Sequence, residues 1–208
     1  GNLTNSISLR KKLVEDGAIF YTTSDTETIV QLIAKSKRVK TIDKIVDAIF
    51  QIQGGYALVM LTQKSLIGVR DPYGIRPLML GELDGKYILC SETCAFDIIG
   101  AKYIREVENG EIVIISDDGL ESIKPFQKLS PRPCIFEYIY FSRPDSYLGG
   151  LSIYQCRKSF GRQLAIESPT DADYVIPVPD SGVPSAIGYA ESSKIPFELG
   201  IIRNHYVG

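Results

Sequence analysis

The feature that most constrains this chain is a change of hydrophobic period at Gly54-Gly55. Before it, apolar residues recur three and four apart. Ile42, Ile45, Val46, Ile49 and Phe50 are spaced i, i+3, i+4, i+7, i+8, which predicts a helix with one buried face. Leu9 and Leu13, opposite Arg10, Lys11 and Lys12, predict a shorter amphipathic helix that starts after Thr4 or Asn5 and stops at Gly17. Between them, residues 18–21 read as a short apolar strand delivering Thr22-Thr23-Ser24-Asp25 to its end, and Ile29, Leu32 and Ile33 mark the helix that begins there. After Gly55 the pattern is that of short strands cut by turns: Gln63-Lys64-Ser65, Asp71-Pro72-Tyr73-Gly74, Asp84-Gly85, Asn109-Gly110 and Asp117-Asp118-Gly119. Residues 91–100 leave room for one brief helix. Helices followed by a β-meander, without regular βαβ alternation, predict an α+β domain with helices layered on sheet.

Residues 128–133, Lys-Leu-Ser-Pro-Arg-Pro, form the best boundary, because two prolines in three positions favour an extended connector. Beyond it, residues 135–141 read as an aromatic strand. Ile153, Cys156, Phe160 and Leu164 mark a helix, and residues 174–178 read as a buried strand running into Pro179-Asp180-Ser181-Gly182 and a further helix. Strand, helix, strand is the opening of a parallel α/β domain. That domain is incomplete, since a lone βαβ unit cannot cover its own sheet faces.

The 208 residues, 44% hydrophobic and 23% charged, allow one large domain or two small ones. With 23 basic residues against 25 acidic ones, the balance calls for neither a nucleic acid nor a membrane surface, which leaves small molecules as the expected partners. No stretch reaches the ~18 apolar residues of a bilayer span and no leader precedes the first helix, so a cytoplasmic location is expected. Cys90, Cys94, Cys134 and Cys156 lack the paired spacing of a disulfide framework, which favours reduced thiols or a metal role. The chain opens at Gly1 without Met and stops at Gly208 after a dense polar and aromatic run, so a piece of a longer protein is expected.

Three constellations carry candidate chemistry. Gly1-Asn2-Leu3-Thr4-Asn5, with Thr22-Thr23-Ser24-Asp25-Thr26-Glu27, is either a loop and two helix caps or a polar pocket whose carboxylate pairs with a substrate ammonium. Arg70-Asp71-Pro72-Tyr73-Gly74-Ile75-Arg76-Pro77-Leu78, followed by Ser91-Glu92-Thr93, is by residue type a tight turn made by Asp71 and Gly74 and flanked by two arginines. The third comprises residues 134–146, Val175-Ile176-Pro177-Val178-Pro179-Asp180-Ser181-Gly182, and Arg203-Asn204-His205-Tyr206-Val207-Gly208.

The first two resemble the glutaminase domain of type 2 glutamine amidotransferases, whose members carry Asn-Gly-x-Leu-x-Asn, Ser-Asp-x-Glu and Arg-Asp-x-x-Gly-x-Arg-Pro-Leu in this order. That likeness covers residues 1 to about 118. The third resembles the amidophosphoribosyltransferase family, whereas the glucosamine-6-phosphate and asparagine synthetases share only the first half. The resemblance implies an α+β fold in which an Ntn-hydrolase-type layered α/β/β/α glutaminase domain over residues 1–127 is joined by a linker, 128–133, to the N-terminal part of an α/β phosphoribosyltransferase-type domain, 134–208. The activity implied is glutamine hydrolysis coupled to ammonia transfer onto 5-phosphoribosyl 1-diphosphate, giving 5-phosphoribosylamine, glutamate and diphosphate, the first step of de novo purine biosynthesis.

In that family an N-terminal Cys attacks the glutamine amide and its own amino group serves as base. It lies outside this chain, none of the four cysteines inherits its role, and the piece by itself is expected to be inactive. Gly1 matches the glycine whose N–H lines the oxyanion hole, and Asp25 matches the carboxylate that holds the glutamine amino group. Ser181 matches a Mg²⁺-coordinating position, with the cap of the following helix as the plainer reading. Cys134 stands where one branch places a [4Fe–4S] thiolate, the other ligands coming from downstream, with a small buried residue as the alternative. His205 stands where a basic residue is frequent. The longer protein is expected to be a homo-oligomer. Two other readings remain: a non-catalytic binding or regulatory module of the same fold, and another glutaminase-coupled synthetase, which needs a sugar-isomerase or ATP-pyrophosphatase domain after residue 130.

Overall fold

The structure, a computed structural model, describes residues 3–204 and 206. Gly1 and His205, both singled out above, lie outside the described residues. The chain divides into two compact units, Gly1–Leu78 with Val107–Pro133, and Met79–Glu106 with Cys134–Gly208. The polypeptide therefore crosses between units at three places, where the sequence displays one linker.

In the first unit the three helices form as their periodicity dictates: α1 (Ser6–Glu15), α2 (Asp25–Lys35) and α3 (Thr41–Ile49). Gly17 ends α1 with φ +84°, and the N–H groups of Gly17 and Ala18 close on Val14 O and Leu13 O. Asn5 takes the N-cap position without capping; its side chain instead bonds Gln51 O and the Gln53 N–H, both at the far end of α3. β1 (Ala57–Leu61), β2 (Ser65–Arg70), β6 (Ile112–Ser116) and β7 (Gly119–Ile123) make an antiparallel sheet in the order β1-β2-β6-β7. Leu13, Ile29, Leu32, Ile45 and Ile49 from the helices meet Val69 and Ile112 from the sheet in one buried core. Residues 18–21 form no strand, contrary to their reading. No ladder reaches them: the Tyr21 N–H donates to Glu27 Oε1, and Ile19 O accepts from Gln31 Nε2.

The turn after β2 depends on a pair of adjacent buried side chains. Asp71 is fully buried and accepts from the N–H groups of Tyr73 and Ile75, each at 2.9 Å, and more weakly from those of Tyr56 and Arg76. Arg70 points its guanidinium at the carbonyls of Val107 (2.7 Å) and Arg76 (3.0 Å). Gly74 sits at φ +63° with the Asn109 side chain packed where a Cβ would stand. The turn reading of this motif is thus the structural one, built by Asp71 and Gly74 with the arginine beside them.

The second unit contains β3 (Met79–Leu83), β4 (Lys86–Cys90) and β5 (Lys102–Glu106), an antiparallel sheet ordered β4-β3-β5, with α4 (Cys94–Ile99) between β4 and β5. Asp84 (φ +50°) and Gly85 (φ +75°) make the tight hairpin their residue types predict. The β-meander expectation needs correcting here. β2 pairs with β6 rather than with β3, so the intervening strands form a separate sheet.

The same unit continues with a π-helical turn, Glu137–Phe141, where an aromatic strand was expected. Its winding is fixed by a buried arginine on α5 (Ile153–Glu167): Arg157 Nε donates to Tyr138 O at 2.8 Å, and Ser142 N–H closes back on Glu137 O. A two-residue hairpin, β8 (Tyr147–Leu148) with β9 (Leu151–Ser152), precedes α5, and α6 (Val183–Ser193) follows it. α5 buries Ile153, Arg157, Gly161 and Ala165, leaving Phe160 and Leu164 exposed, so the packed face is not the apolar stripe read from the sequence. Small residues decide it: a Cβ at Gly161 would fall on Ser185 O and one at Gly188 on Lys158 O, so the two helices cross backbone to backbone. Residues 174–178 form only a single parallel bridge, Val175 to Phe197, flanking α6. The strand–helix–strand order expected over 135–178 is therefore not formed: the first segment winds as a π-helical turn, and the second meets Phe197 at one residue only, too little for a ladder.

Two stability outcomes follow, both measured as urea midpoints on the full-length protein. Gly161→Ala forces the helices apart and is expected to cost about 2 kcal/mol, while Ser192→Ala on the exposed end of α6 leaves the midpoint within error. Asp71→Ala strands buried N–H groups and is expected to cost roughly 3 kcal/mol.

Candidate functional site

In the first unit the site is the start of α2. Ser24 Oγ accepts the Thr26 N–H and caps the helix, so the plain capping reading holds for Ser24. Asp25, next in line, is half-buried and accepts the Leu3 N–H on Oδ2 at 2.6 Å. Leu3 is fixed in turn by an antiparallel bridge to Gly54, and Thr4 N–H by Gln53 O at 2.8 Å. The second carboxylate oxygen of Asp25 is engaged by no described residue. Glu27 has another task. It takes the N–H groups of Tyr21 and Thr22 at 2.8 Å each, and those bonds, with the Thr22 hydroxyl, hold its carboxyl below the usual range.

The second unit holds an open cleft of about 630 Å³ lined by Tyr140, Phe141, Arg143, Asp180, Ser181 and Arg203. Residues from all three segments of the third constellation thus converge on one surface. Ser181 lies in the turn before α6, half-buried, its hydroxyl bonded to no described residue. The capping reading fails for it, because Gly182 holds the N-cap position without a side-chain bond. Asp180 faces Arg203 at 3.4 Å, and Arg143 is paired with Asp145 through two contacts, 3.0 and 2.8 Å. Arg157 reaches the same cleft from α5 but is buried and committed to the carbonyls of Tyr138 and Ser142. Sequence reading passed over Arg157. Its one signal was its place four residues after Ile153 and four before Gly161, a lone charge in a face of small residues.

Glu92 is the other side chain whose role the motif did not reveal. Its Oε2 accepts the Arg143 N–H at 2.7 Å and the Ser146 hydroxyl at 2.9 Å, holding the loop that carries Arg143. Burial pushes the thiols of Cys90 and Cys94 up, which keeps them protonated and unsuited to nucleophilic attack. Cys134 is half-buried, and among the described residues no group of three or more His, Cys, Asp or Glu could hold a metal ion. A four-thiolate cluster therefore does not fit the described residues alone. A hard cation with oxygen ligands fits better: the Ser181 hydroxyl and Asp180 carboxylate stand together in a solvated cleft, and Mg²⁺ keeps several waters of its own. No helix among the described residues is long and apolar enough to cross a membrane.

With this geometry in hand, the comparisons with known proteins are specific. A glutamine amidotransferase domain model matches residues 1–97. The amidophosphoribosyltransferase of Rhizobium etli is 57% identical over 213 residues, covering all of this chain and 43% of its own length. Those of Arabidopsis thaliana (number 1, chloroplastic) and Bacillus subtilis are 50% and 46% identical, again over all of this chain and over 37% and 44% of theirs. The chain thus spans about two-fifths of the length of these curated relatives. The solved structure of glutamine phosphoribosylpyrophosphate amidotransferase from B. subtilis, complexed with ADP and GMP, superposes on the whole chain with TM-score 0.95 at 45% identity, over 46% of that structure's chain. The mixed helix and sheet of the present fold accords with the Ntn-hydrolase type of glutaminase domain. The likeness to amidophosphoribosyltransferases runs unbroken through the residues of both units.

Proposed function

We propose that the protein to which these residues belong hydrolyses glutamine and passes the ammonia to 5-phosphoribosyl 1-diphosphate, yielding 5-phosphoribosylamine, glutamate and diphosphate. One observation carries this reading: similarity to amidophosphoribosyltransferases continues through residue 208, far beyond the glutamine amidotransferase match that ends at residue 97. A glutaminase-coupled synthetase of another kind would share the first stretch only, and a module that had merely kept the fold has no need of a carboxylate at Asp25 with an oxygen that no described residue engages.

In this reading the two halves of the mechanism rest on different residues. Asp25 receives the glutamine ammonium on the oxygen that Leu3 leaves open, a charge-assisted contact that selects free glutamine over a peptide amide. Gly1 contributes an oxyanion-hole N–H, and the nucleophile is supplied from outside these residues. Near the transferase cleft, Arg143 and Arg203 bring positive charge towards a polyanionic substrate, while the Ser181 hydroxyl holds Mg²⁺. The cation, when bound, neutralises the diphosphate leaving group. Residues 1–127 are the glutaminase module, 128–133 the connector and 134–208 the opening of the phosphoribosyltransferase module. Cys134 is a cluster ligand only with thiolates from further along the chain, and a brown chromophore in anaerobically purified full-length protein, lost in Cys134→Ser, is its test. A cytoplasmic homo-oligomer accompanies this function.

Two outcomes test the reading in the full-length protein. Asp25→Asn is expected to raise KM for glutamine by about tenfold or more while the ammonia-driven reaction stays near wild type; equal loss of both removes Asp25 from the glutamine site. Ser181→Ala is expected to shift the Mg²⁺ requirement of the ammonia-driven reaction upward severalfold, and an unchanged Mg²⁺ titration removes Ser181 from the metal site.

A further inference from the structure

The Ser142-Arg143 peptide is gripped at both poles by opposite charges. Its carbonyl accepts from Arg157 Nη2 at 2.6 Å, and its N–H donates to Glu92 Oε2 at 2.7 Å. Arg157 is buried; burial pushes its pKa down and the charge of Glu92 works in the opposite direction. The same Glu92 oxygen accepts from the buried Ser146 hydroxyl, Thr93 Oγ1 accepts the Tyr147 N–H at 2.8 Å, and Glu106 Oε1 accepts the Gly149 N–H at 2.6 Å. Every backbone group so held belongs to the short loop between the π-helical turn and α5.

The holders and the held come from different parts of the sequence. Glu92 and Thr93 fall inside the glutamine amidotransferase match, residues 1–97, and Glu106 ends the sheet that follows. The loop belongs to the stretch beyond the connector, and its Arg143 lines the cleft that holds Ser181 and Arg203. A peptide dipole aligned between a carboxylate and a guanidinium is fixed more firmly than one between neutral partners. The backbone of Arg143 is therefore set before any ligand arrives.

We infer that Glu92 is a positioning residue for phosphoribosyl diphosphate: it holds the Ser142-Arg143 peptide so that Arg143 faces the cleft, and a residue of the glutaminase part thereby sets the substrate affinity of the transferase part. The inference rests on reading the cleft as the phosphoribosyl diphosphate site. Without the clamp, the loop must be ordered when substrate binds, and that cost falls on binding more than on the bond-breaking step.

The test uses full-length enzyme in the ammonia-driven reaction, where glutamine plays no part. Glu92→Ala is expected to raise KM for phosphoribosyl diphosphate about tenfold with kcat within threefold of wild type. Glu92→Gln, whose amide oxygen still accepts both hydrogen bonds, recovers most of that loss. Leu80→Val, which loosens the same sheet and lies outside the cluster that packs on Leu148 of the loop, lowers the melting temperature but leaves this KM in place. Should Glu92→Ala fail to fold, the milder pair Ser146→Ala and Thr93→Val is expected to raise the same KM severalfold. An unchanged KM in the folded clamp variants overturns the inference, as does a KM that rises equally in Leu80→Val. Failure of the underlying reading is distinct, since wild-type enzyme would then form no phosphoribosylamine at all.

Discussion

Backbone that leaves regular structure inside a fold must still find hydrogen-bond partners, and both units meet this demand with charged side chains. In the first unit Asp71 collects the N–H groups of the turn that follows it, while Arg70 collects carbonyls from the same turn and from Val107. In the second, Glu92 and Arg157 divide the two poles of one peptide between them. The arrangement replaces many ladder bonds with few side chains, so each such side chain carries more than an average hydrogen bond. Loops held in this way are rigid enough to present functional groups.

The two halves of the proposed chemistry draw on this rigidity differently. At the start of α2 the rigid element is the helix itself, and Asp25 is aimed by Leu3, which is pinned to Gly54. Around the cleft of the second unit no strand carries Arg143, so its backbone is held by Glu92, in the loop between β4 and α4, and by Arg157 on α5, far apart in sequence. The second compact unit accordingly draws residues from both sides of the proline-containing stretch 128–133. Met79–Glu106 groups with the stretch after the connector, even though much of it belongs to the glutamine amidotransferase match.

Much of the secondary structure was legible. The helices over 6–15, 25–35 and 41–49 follow from apolar spacing, and the turns at Asp84-Gly85 and Asp117-Asp118-Gly119 from residue type. What failed did so for want of neighbours. Residues 18–21 and 174–178 have strand composition, but a strand exists only where another pairs with it. The aromatic run at 135–141 winds as a π-helical turn because Arg157 takes its carbonyl at Tyr138, a contact set from a distant helix. On α5 the apolar stripe lost to the glycine face, since close backbone crossing at Gly161 and Gly188 outweighs the burial of Phe160 and Leu164.

The sequence by itself determined the likeness to glutamine amidotransferases and amidophosphoribosyltransferases, the positions of the first three helices and of the turns, and the candidacy of Asp25 and Ser181, because each depends on short-range order of residue types. Only the tertiary structure decided that Ser24 caps while Asp25 takes the Leu3 N–H on one oxygen, that Arg143, Ser181 and Arg203 share a cleft, and that Glu92 and Arg157 hold one peptide between them. Those are facts of long-range contact. Residues 92 and 143 stand fifty-one positions apart, and no local spacing rule encodes a hydrogen bond across that distance.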